Sequence, residues 1–358
     1  MKNLYLSKGA FPAKIFEPTL DYIRQVQAAD GAIAWEDGAK FDVWDHIESA
    51  MGLTIGGDYD NARRAYDWLL RNQMADGTWW AEYRNGIIVD ATRKETNFCA
   101  YVATGIWHYY LVTDDKDAAL SYWPMVKKSV DFVISLQEPT GAIPWAGEPD
   151  GGPCNDALIT GCSSIYKSLE CAWHLSVLAG EPQQDWLEAR GRLGDALRNM
   201  PDQFDRTWES KARFSMDWFY PVLTGVYRGQ AAKARLAERW DEFVVDGMGC
   251  RCVNDEPWVT FAESCELVLA LLANGQTERA AEVYSWLHQW RDDDGAYWMG
   301  YQYVENIVWP EERPTWTAAA ILLAADALTH HTGAAELFTS ISLSEHEDAF
   351  DPAYKVAK

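Results

Sequence analysis

The sequence predicts an all-α fold, an (α/α)6 toroid of six inner and six outer helices. Three observations point to it. Charged amphipathic segments alternate along the whole chain with smoother, more apolar ones. A short motif recurs at the junctions, placing Gly four residues after Gln with Trp shortly beyond: Gln27, Gly31 and Trp35; Gln73, Gly77 and Trp79; Gln137, Gly141 and Trp145. The alternating segments start roughly 40 to 60 residues apart, the spacing of helix pairs that bury their apolar faces only against one another. A fourth copy of the motif runs through Gln289, Gly295 and Trp298 with a longer gap.

The elements follow in order. Outer helices are expected over residues 18–27, 60–73, 118–137, 183–200, 230–245 and 278–289, where acids and bases interleave at helical spacing. Inner helices are expected from Phe41, Glu95, Asp156, Ser215, Trp258 and Pro314. In the second of these, Phe98, Tyr101, Val102, Gly105, Ile106 and Tyr109 keep the i, i+3, i+4, i+7 rule. The positions between them are small or weakly polar, so that helix should be buried nearly all round. Gly56, Gly180, Gly229, Gly275 and Gly333 are expected to stop inner helices as left-handed caps. Residues 1–340 then form one toroid domain and 341–358 a C-terminal tail. The loops from outer to inner helix gather on one rim, where the cavity is expected.

The chain of 358 residues sets 31 Lys and Arg against 54 Asp and Glu, a formal charge of −23, which argues against a nucleic-acid partner. No apolar run approaches the roughly 18 residues of a membrane helix, and the opening residues lead into no signal-like apolar core. A cytoplasmic protein without a membrane role is the expectation, and nothing in the sequence specifies an oligomeric state. Seven cysteines lack paired CxxC spacing and are read as reduced thiols. The seven histidines show no pair at ligand spacing, which argues against a zinc set. No metal site is assigned, although Asp and Glu clusters can hold calcium, since no EF-hand-like loop occurs, and no organic cofactor is expected. Nineteen tryptophans, several beside glycines and acids, suggest a ligand surface.

The Gln-x-x-x-Gly-x-Trp repeats resemble those of squalene and hopene cyclases and of prenyltransferase β-subunits. The DxDD motif with which triterpene cyclases protonate their substrate and the DDxxD motif with which ionising terpene synthases hold magnesium do not occur here; Asp114-Asp115-Lys116-Asp117 and Asp292-Asp293-Asp294 come closest. A second resemblance runs from Thr96-Asn97-Phe98 through Tyr122-Trp123-Pro124 and Gly141-Ala142-Ile143-Pro144-Trp145 to Ser163-Ser164-Ile165-Tyr166. That stretch is similar to the helical register of glucoamylase-type toroids, although the glucoamylase Trp-x-Arg-Asp motif is replaced by Trp44-Asp45-His46. In length and first-helix pattern the chain resembles the cytoplasmic endo-α-mannosidases that trim methylmannose polysaccharides. That family implicates two aspartates three apart at the first inner helix and one distant glutamate. The resemblance implies Asp42 and Asp45 for the pair and Glu263 for the glutamate.

Glycoside hydrolysis needs one carboxylic acid to protonate the leaving oxygen and one carboxylate to act as base or nucleophile. Asp42 and Asp45 lie three apart at a helix start, where repulsion raises one pKa while the helix N-terminus favours the ionised partner. A solvated N-cap with an acidic first turn is the bland alternative. Glu263 and Glu266 lead into the apolar run 267–272, where a buried carboxylate needs a reason. The assignment is Asp45 as acid, Glu263 as partner across the cavity and Asp42 on a sugar hydroxyl; the roles of acid and base can be exchanged. Glu148, in a loop resembling the acid-bearing loop of glucoamylases, is the reserve acid. Trp44, Trp145, Asp217, Trp218, Tyr220, Tyr301 and Trp309 are candidate sugar contacts, their rings suited to the C–H faces of sugars. Tyr303, Glu311, Glu312 and Arg313 accompany them before the sixth inner helix. The function expected is hydrolysis of an α-linked oligo- or polysaccharide. The rivals are a terpenoid cyclase or prenyl-chain enzyme with cation–π stabilisation, and a noncatalytic glycan-binding toroid.

Overall fold

The computed structural model describes residues 4–344 and Glu347. Its helices, in chain order, are α1 (Ala13–Val26), α2 (Val43–Ile55), α3 (Tyr59–Asn72), α4 (Thr96–Thr113), α5 (Lys116–Ser121), α6 (Trp123–Ser135), α7 (Ile159–Leu178), α8 (Gln184–Asn199), α9 (Ser215–Leu223), α10 (Gly229–Glu238), α11 (Trp240–Phe243), α12 (Phe261–Ala273), α13 (Thr277–Trp286) and α14 (Thr315–Thr329). Six of them, α2, α4, α7, α9, α12 and α14, each pack against the next, and α14 returns to α2. This closed inner ring is wrapped by α1, α3, α5 with α6, α8, α10 and α13. The toroid is therefore the architecture. The third outer segment breaks at Tyr122, just before Pro124, and the fifth breaks at Arg239.

The inner helices are buried on nearly every side: all of α14 and all but Asp45 of α2 are shielded from solvent. The outer helices keep one polar face. Because the chain alternates outer and inner, the inner N-termini all face one rim.

The recurring motif turns out to be a staple. Gln27 Nε2 donates to the Gly31 carbonyl (3.1 Å) and to Asn61 O of α3 (2.9 Å). Gln73 repeats this on Gly77 and on Met125 O of α6, and Gln137 on Gly141 and on Ala189 O of α8. The glycines have φ of +98°, +92° and +93°, and a Cβ on each would stand 2.2–2.4 Å from a carbonyl oxygen of the following outer helix. Only glycine fits such a contact. At the fourth copy the expectation needs correcting. Gln289 bonds Gly247 O and Trp286 O instead, while Arg291, four residues before Gly295, donates to Ile15 O of α1 at 2.8 Å. A longer, charged donor takes the glutamine's place and ties the last repeat to the first.

Helix ends also differ from the sequence reading. Gly180 (φ +74°) and Gly275 (φ +70°) cap α7 and α12 as expected. Gly56 is right-handed and hands the left-handed turn to Gly57, Gly225 follows α9 while Gly229 opens α10, and His330 (φ +49°) ends α14 in place of Gly333. A glycine shows that a left-handed turn is allowed, not which residue makes it.

Short strands on the rim add to the helical expectation. Glu82–Arg84 and Ile87–Asp90 form a hairpin, and a five-stranded antiparallel sheet runs through Val244–Val245, Gly249–Arg251, Trp258–Thr260, Gly300–Gln302 and Ile307–Val308. Beyond α14, Ser342 bonds Glu170 of α7 through its N–H and Oγ, and Trp173 donates to Glu347 at 2.8 Å. The start of the expected tail thus lies against the ring; residues 345–346 and 348–358 lie outside the described residues. Among the described residues no helix is long and apolar enough to cross a membrane.

Candidate active site

At the start of α2, Asp42 is the N-cap and its carboxylate accepts the Asp45 N–H at 2.9 Å. Three residues of spacing put both side chains on the same side of the helix start, and both open into a rim cavity of about 390 Å³. Its other walls come from three different repeats: Trp35, Glu36 and Lys40 before α2, Glu82 and Arg84 on the first hairpin, and Glu312 before α14. Trp35 Nε1 donates to Glu312 at 2.8 Å, Glu36 accepts the Arg313 backbone N–H, and Lys40 pairs with Glu82.

Burial is the main force on these acids. It pushes Asp42 up to about 6, Glu82 adding to the rise while hydrogen bonds from Asp45 and Trp44 oppose it. Asp45 is driven well above the usual carboxylate range by burial, then by the charges of Asp42 and Glu48, with Lys40 opposing. One member of the pair is therefore held protonated while the other ionises near neutrality, the division of labour that acid–base chemistry requires.

Across the hollow, α12 carries Glu263 in its first turn and Glu266 one turn on, both buried. Burial raises Glu263, offset by hydrogen bonding with Thr260 and Cys252. Glu266 is within electrostatic reach of Glu48, Glu263 and Asp45, so the acidic faces of α2 and α12 confront one another. Glu263 does not line the cavity that holds Asp42 and Asp45.

The remaining candidates divide. Trp44 is buried, donating to Glu48 at 3.1 Å and packing on Tyr101 and Tyr220, so it lies behind the acids. Trp145 is half-buried on the rim, with Trp208 edge-on at 5.6 Å and the Arg93 guanidinium 5.5 Å from its ring. Glu148 is exposed and accepts from the Cys154 thiol. Asp217, 5% exposed in the first turn of α9, accepts from Thr160 Oγ1 at 2.7 Å and is pushed up to about 6 by burial. Trp218 must be corrected: it turns outward, stacking on Phe243 and donating to Arg235 O of α10 at 2.7 Å, where no sugar reaches. Tyr220 lines a separate, narrow chamber with Glu48 and Glu266. Tyr301 packs on Trp290 at 4.1 Å, and Trp309, 50% exposed, stands edge-on to Trp258.

Sequence reasoning missed Trp35, Glu36, Glu82 and Glu95 as site residues. Glu95 caps α4, is held by Arg93 Nε at 2.8 Å, and is pushed up to about 7 by burial. A usable signal existed, since Trp35 is the tryptophan of the first motif copy and Glu95 opens an inner helix.

No family model matches the chain. A curated relative, the MMP endo-(1,4)-3-O-methyl-alpha-D-mannosidase of Mycolicibacterium hassiacum, is 49% identical over 325 residues, 91% of this chain and 89% of that protein. A solved wild-type glycosidase superposes with a TM-score of 0.68 at 16% identity, over 88% of this chain and 96% of its own. The GH63 mannosylglycerate hydrolase of Thermus thermophilus, in complex with glucose, does so with 0.68 at 14% identity, over 86% and 99%. These two share the fold.

Proposed function

Because the chain belongs to the family of the MMP endo-(1,4)-3-O-methyl-α-D-mannosidase and is thus a glycoside hydrolase acting on α-linked saccharides, we propose that it cuts internal α-(1,4) bonds of a 3-O-methylated mannan. Asp45 protonates the glycosidic oxygen, Glu263 is the base or nucleophile, and Asp42 holds a sugar hydroxyl. The observation that carries this reading is the pair Asp42 and Asp45 in one rim cavity, with Asp45 driven toward its acid form by burial and then by its neighbours. A second assignment of the base has its own support: Glu312 lines that cavity and Glu263 does not. Trp145 and Trp309 on the rim suit the C–H faces of further sugar units. The acidic lining favours a glycan over an isoprenoid. A cytoplasmic setting fits seven free cysteines, five of them buried.

The test is hydrolysis of 3-O-methylated α-mannan oligosaccharides beside unmethylated α-mannan and α-glucan. Internal cleavage of the methylated substrate is expected, lost by about 10²–10⁴-fold in Asp45→Asn. A matching loss in Glu263→Gln with Glu312→Gln active assigns the base to Glu263, and the reverse assigns it to Glu312. An Asp45→Asn protein that is folded and fully active removes the proposal.

A further inference from the structure

Beneath the site sit two acids that this chemistry does not use. Glu48 follows Asp45 by three residues on α2, and Glu266 follows Glu263 by three on α12. They are 3% and 4% exposed. Together they line a narrow chamber otherwise walled largely by apolar side chains, among them Leu223, Leu269, Leu323 and Phe338. Glu48 Oε1 accepts from the Tyr101 hydroxyl at 2.7 Å and from the Trp44 indole at 3.1 Å. Its Oε2 has no partner within hydrogen-bond distance among the described residues, although the Trp316 indole of α14 faces Glu48 as a third stabilising donor, and neither oxygen of Glu266 has a partner at all.

Three carboxyl oxygens without a hydrogen bond in one narrow, largely apolar chamber are costly unless they satisfy each other. Two carboxylates cannot do so, since both only accept; a carboxylic acid and a carboxylate can. The donors decide which is which. Glu48 already has donors that stabilise its charge, whereas Glu266 has none and gains most from keeping a proton. The chamber offers about 10 Å³ to the centre of a water molecule, room for roughly one water as a bridge.

We propose that Glu48 and Glu266 are a proton-sharing pair: Glu266 holds the proton and donates it, directly or through one water, to Glu48 Oε2, leaving a single negative charge on Glu48 one helical turn below Asp45. Both are positioning residues. The charge on Glu48 keeps the proton on Asp45, so a donor is ready at neutral pH. The titratable groups facing the pair are Asp42 and Asp45 on α2, Tyr101 on α4, Tyr220 on α9, and Glu263 and Cys265 on α12. From α14 come Trp316, Ala320 and Leu323, none of them titratable. None of these groups is a cation, so nothing in the chamber can replace the shared proton.

The experiment has two arms, and only the second rests on the hydrolase reading. Infrared spectra of the folded protein at neutral pH should show, beside the band of protonated Asp45, a second protonated carboxyl C=O band that disappears in Glu266→Gln and in Glu266→Met, and persists in Glu48→Gln. A second band untouched in whichever Glu266 variant folds overturns the pair, whatever the enzyme cleaves. In the second arm, the basic limb of kcat/KM should stay in place in Glu266→Gln, where an amide replaces a neutral acid. It should move down by about one to two pH units in Glu48→Gln, the effect of removing one charge roughly a helical turn away at an effective dielectric near 20. Equal shifts in both variants would mean two charges and no shared proton, and would overturn the proposal.

Discussion

Replacing Asp42 by Asn separates the two duties of that residue. Asparagine caps a helix as well as aspartate does, so the bond to the Asp45 N–H survives while the charge is lost. In the fold, burial lifts Asp42 from 3.8 to about 6. A carboxyl whose folded value is raised contributes stability that is complete below its unfolded pKa and is lost as pH rises through about 6. The rise of about two units corresponds to about 3 kcal/mol. Asp42→Asn should therefore be more stable than the parent at pH 7.5, by up to about 3 kcal/mol, and indistinguishable from it near pH 3.5. Catalysis should move the other way. The Asp42 charge is, after burial, the largest influence holding the proton on Asp45. Without it the basic limb of kcat/KM should fall by at least one pH unit, and activity at pH 7.5 by about tenfold or more. Thermal melts across pH 3.5–7.5 and a pH profile on the methylated mannan read both effects. A variant less stable than its parent at pH 7.5, with a gap widening as pH rises, refutes the reasoning.

Three further outcomes follow from the ring itself. Glu170 is buried between Lys167 (2.8 Å) and Arg190 (3.1 Å), which hold it down to about 2 against burial. Its contribution is present above about pH 4.5 and fades as pH falls toward 2, so Glu170→Gln should cost about 3 kcal/mol in urea melts at pH 7 and little at pH 2.5. Gly77→Ala puts a Cβ 2.4 Å from Lys128 O at φ +92°, and should cost about 2–4 kcal/mol in the same assay while kcat of the folded fraction is unchanged. Arg291→Ala breaks the tie to Ile15 and should cost about 1–2 kcal/mol; Arg291→Gln, restoring the side chain of the other three copies, should recover part of it.

The ring was legible because its staple has a fixed spelling. A Gln reaching two carbonyls needs Gly four residues on, and three copies keep that spacing. The closing copy is misleading at Gln289 because Arg291 performs the same bond with different chemistry, and only the nearness of Ile15 reveals it. Asp42 and Asp45 were legible as acids at a helix start. Glu36 and Glu82 were not, since they reach the cavity from loops of different repeats and no periodicity links them; Glu312 was legible only as one of a run of candidates before the sixth inner helix. Trp218 shows a different limit: α9 is buried on all sides, so its aromatic residues carry no mark of which face turns to the hollow and which to α10.

The direction of the inner helices explains how so many acids share one rim. Asp42 caps α2 with Asp45 in its first turn, Glu95 caps α4, Asp217 lies in the first turn of α9, and Glu263 in that of α12. Each inner helix brings the equivalent of about half a positive charge to its N-terminus, carried by backbone N–H groups that cannot move or titrate. Six such ends around one hollow supply a fixed positive field on the side where the carboxylates stand. Lysines in their place would form ion pairs with these acids and lower every pKa toward the solvent value. The backbone field is weaker and more diffuse, so burial and mutual repulsion still dominate at Asp45 and Asp42. An acidic protein can in this way keep a protonated acid and an ionised partner side by side. The arrangement depends on the inner helices all pointing the same way, which the alternation of outer and inner segments imposes.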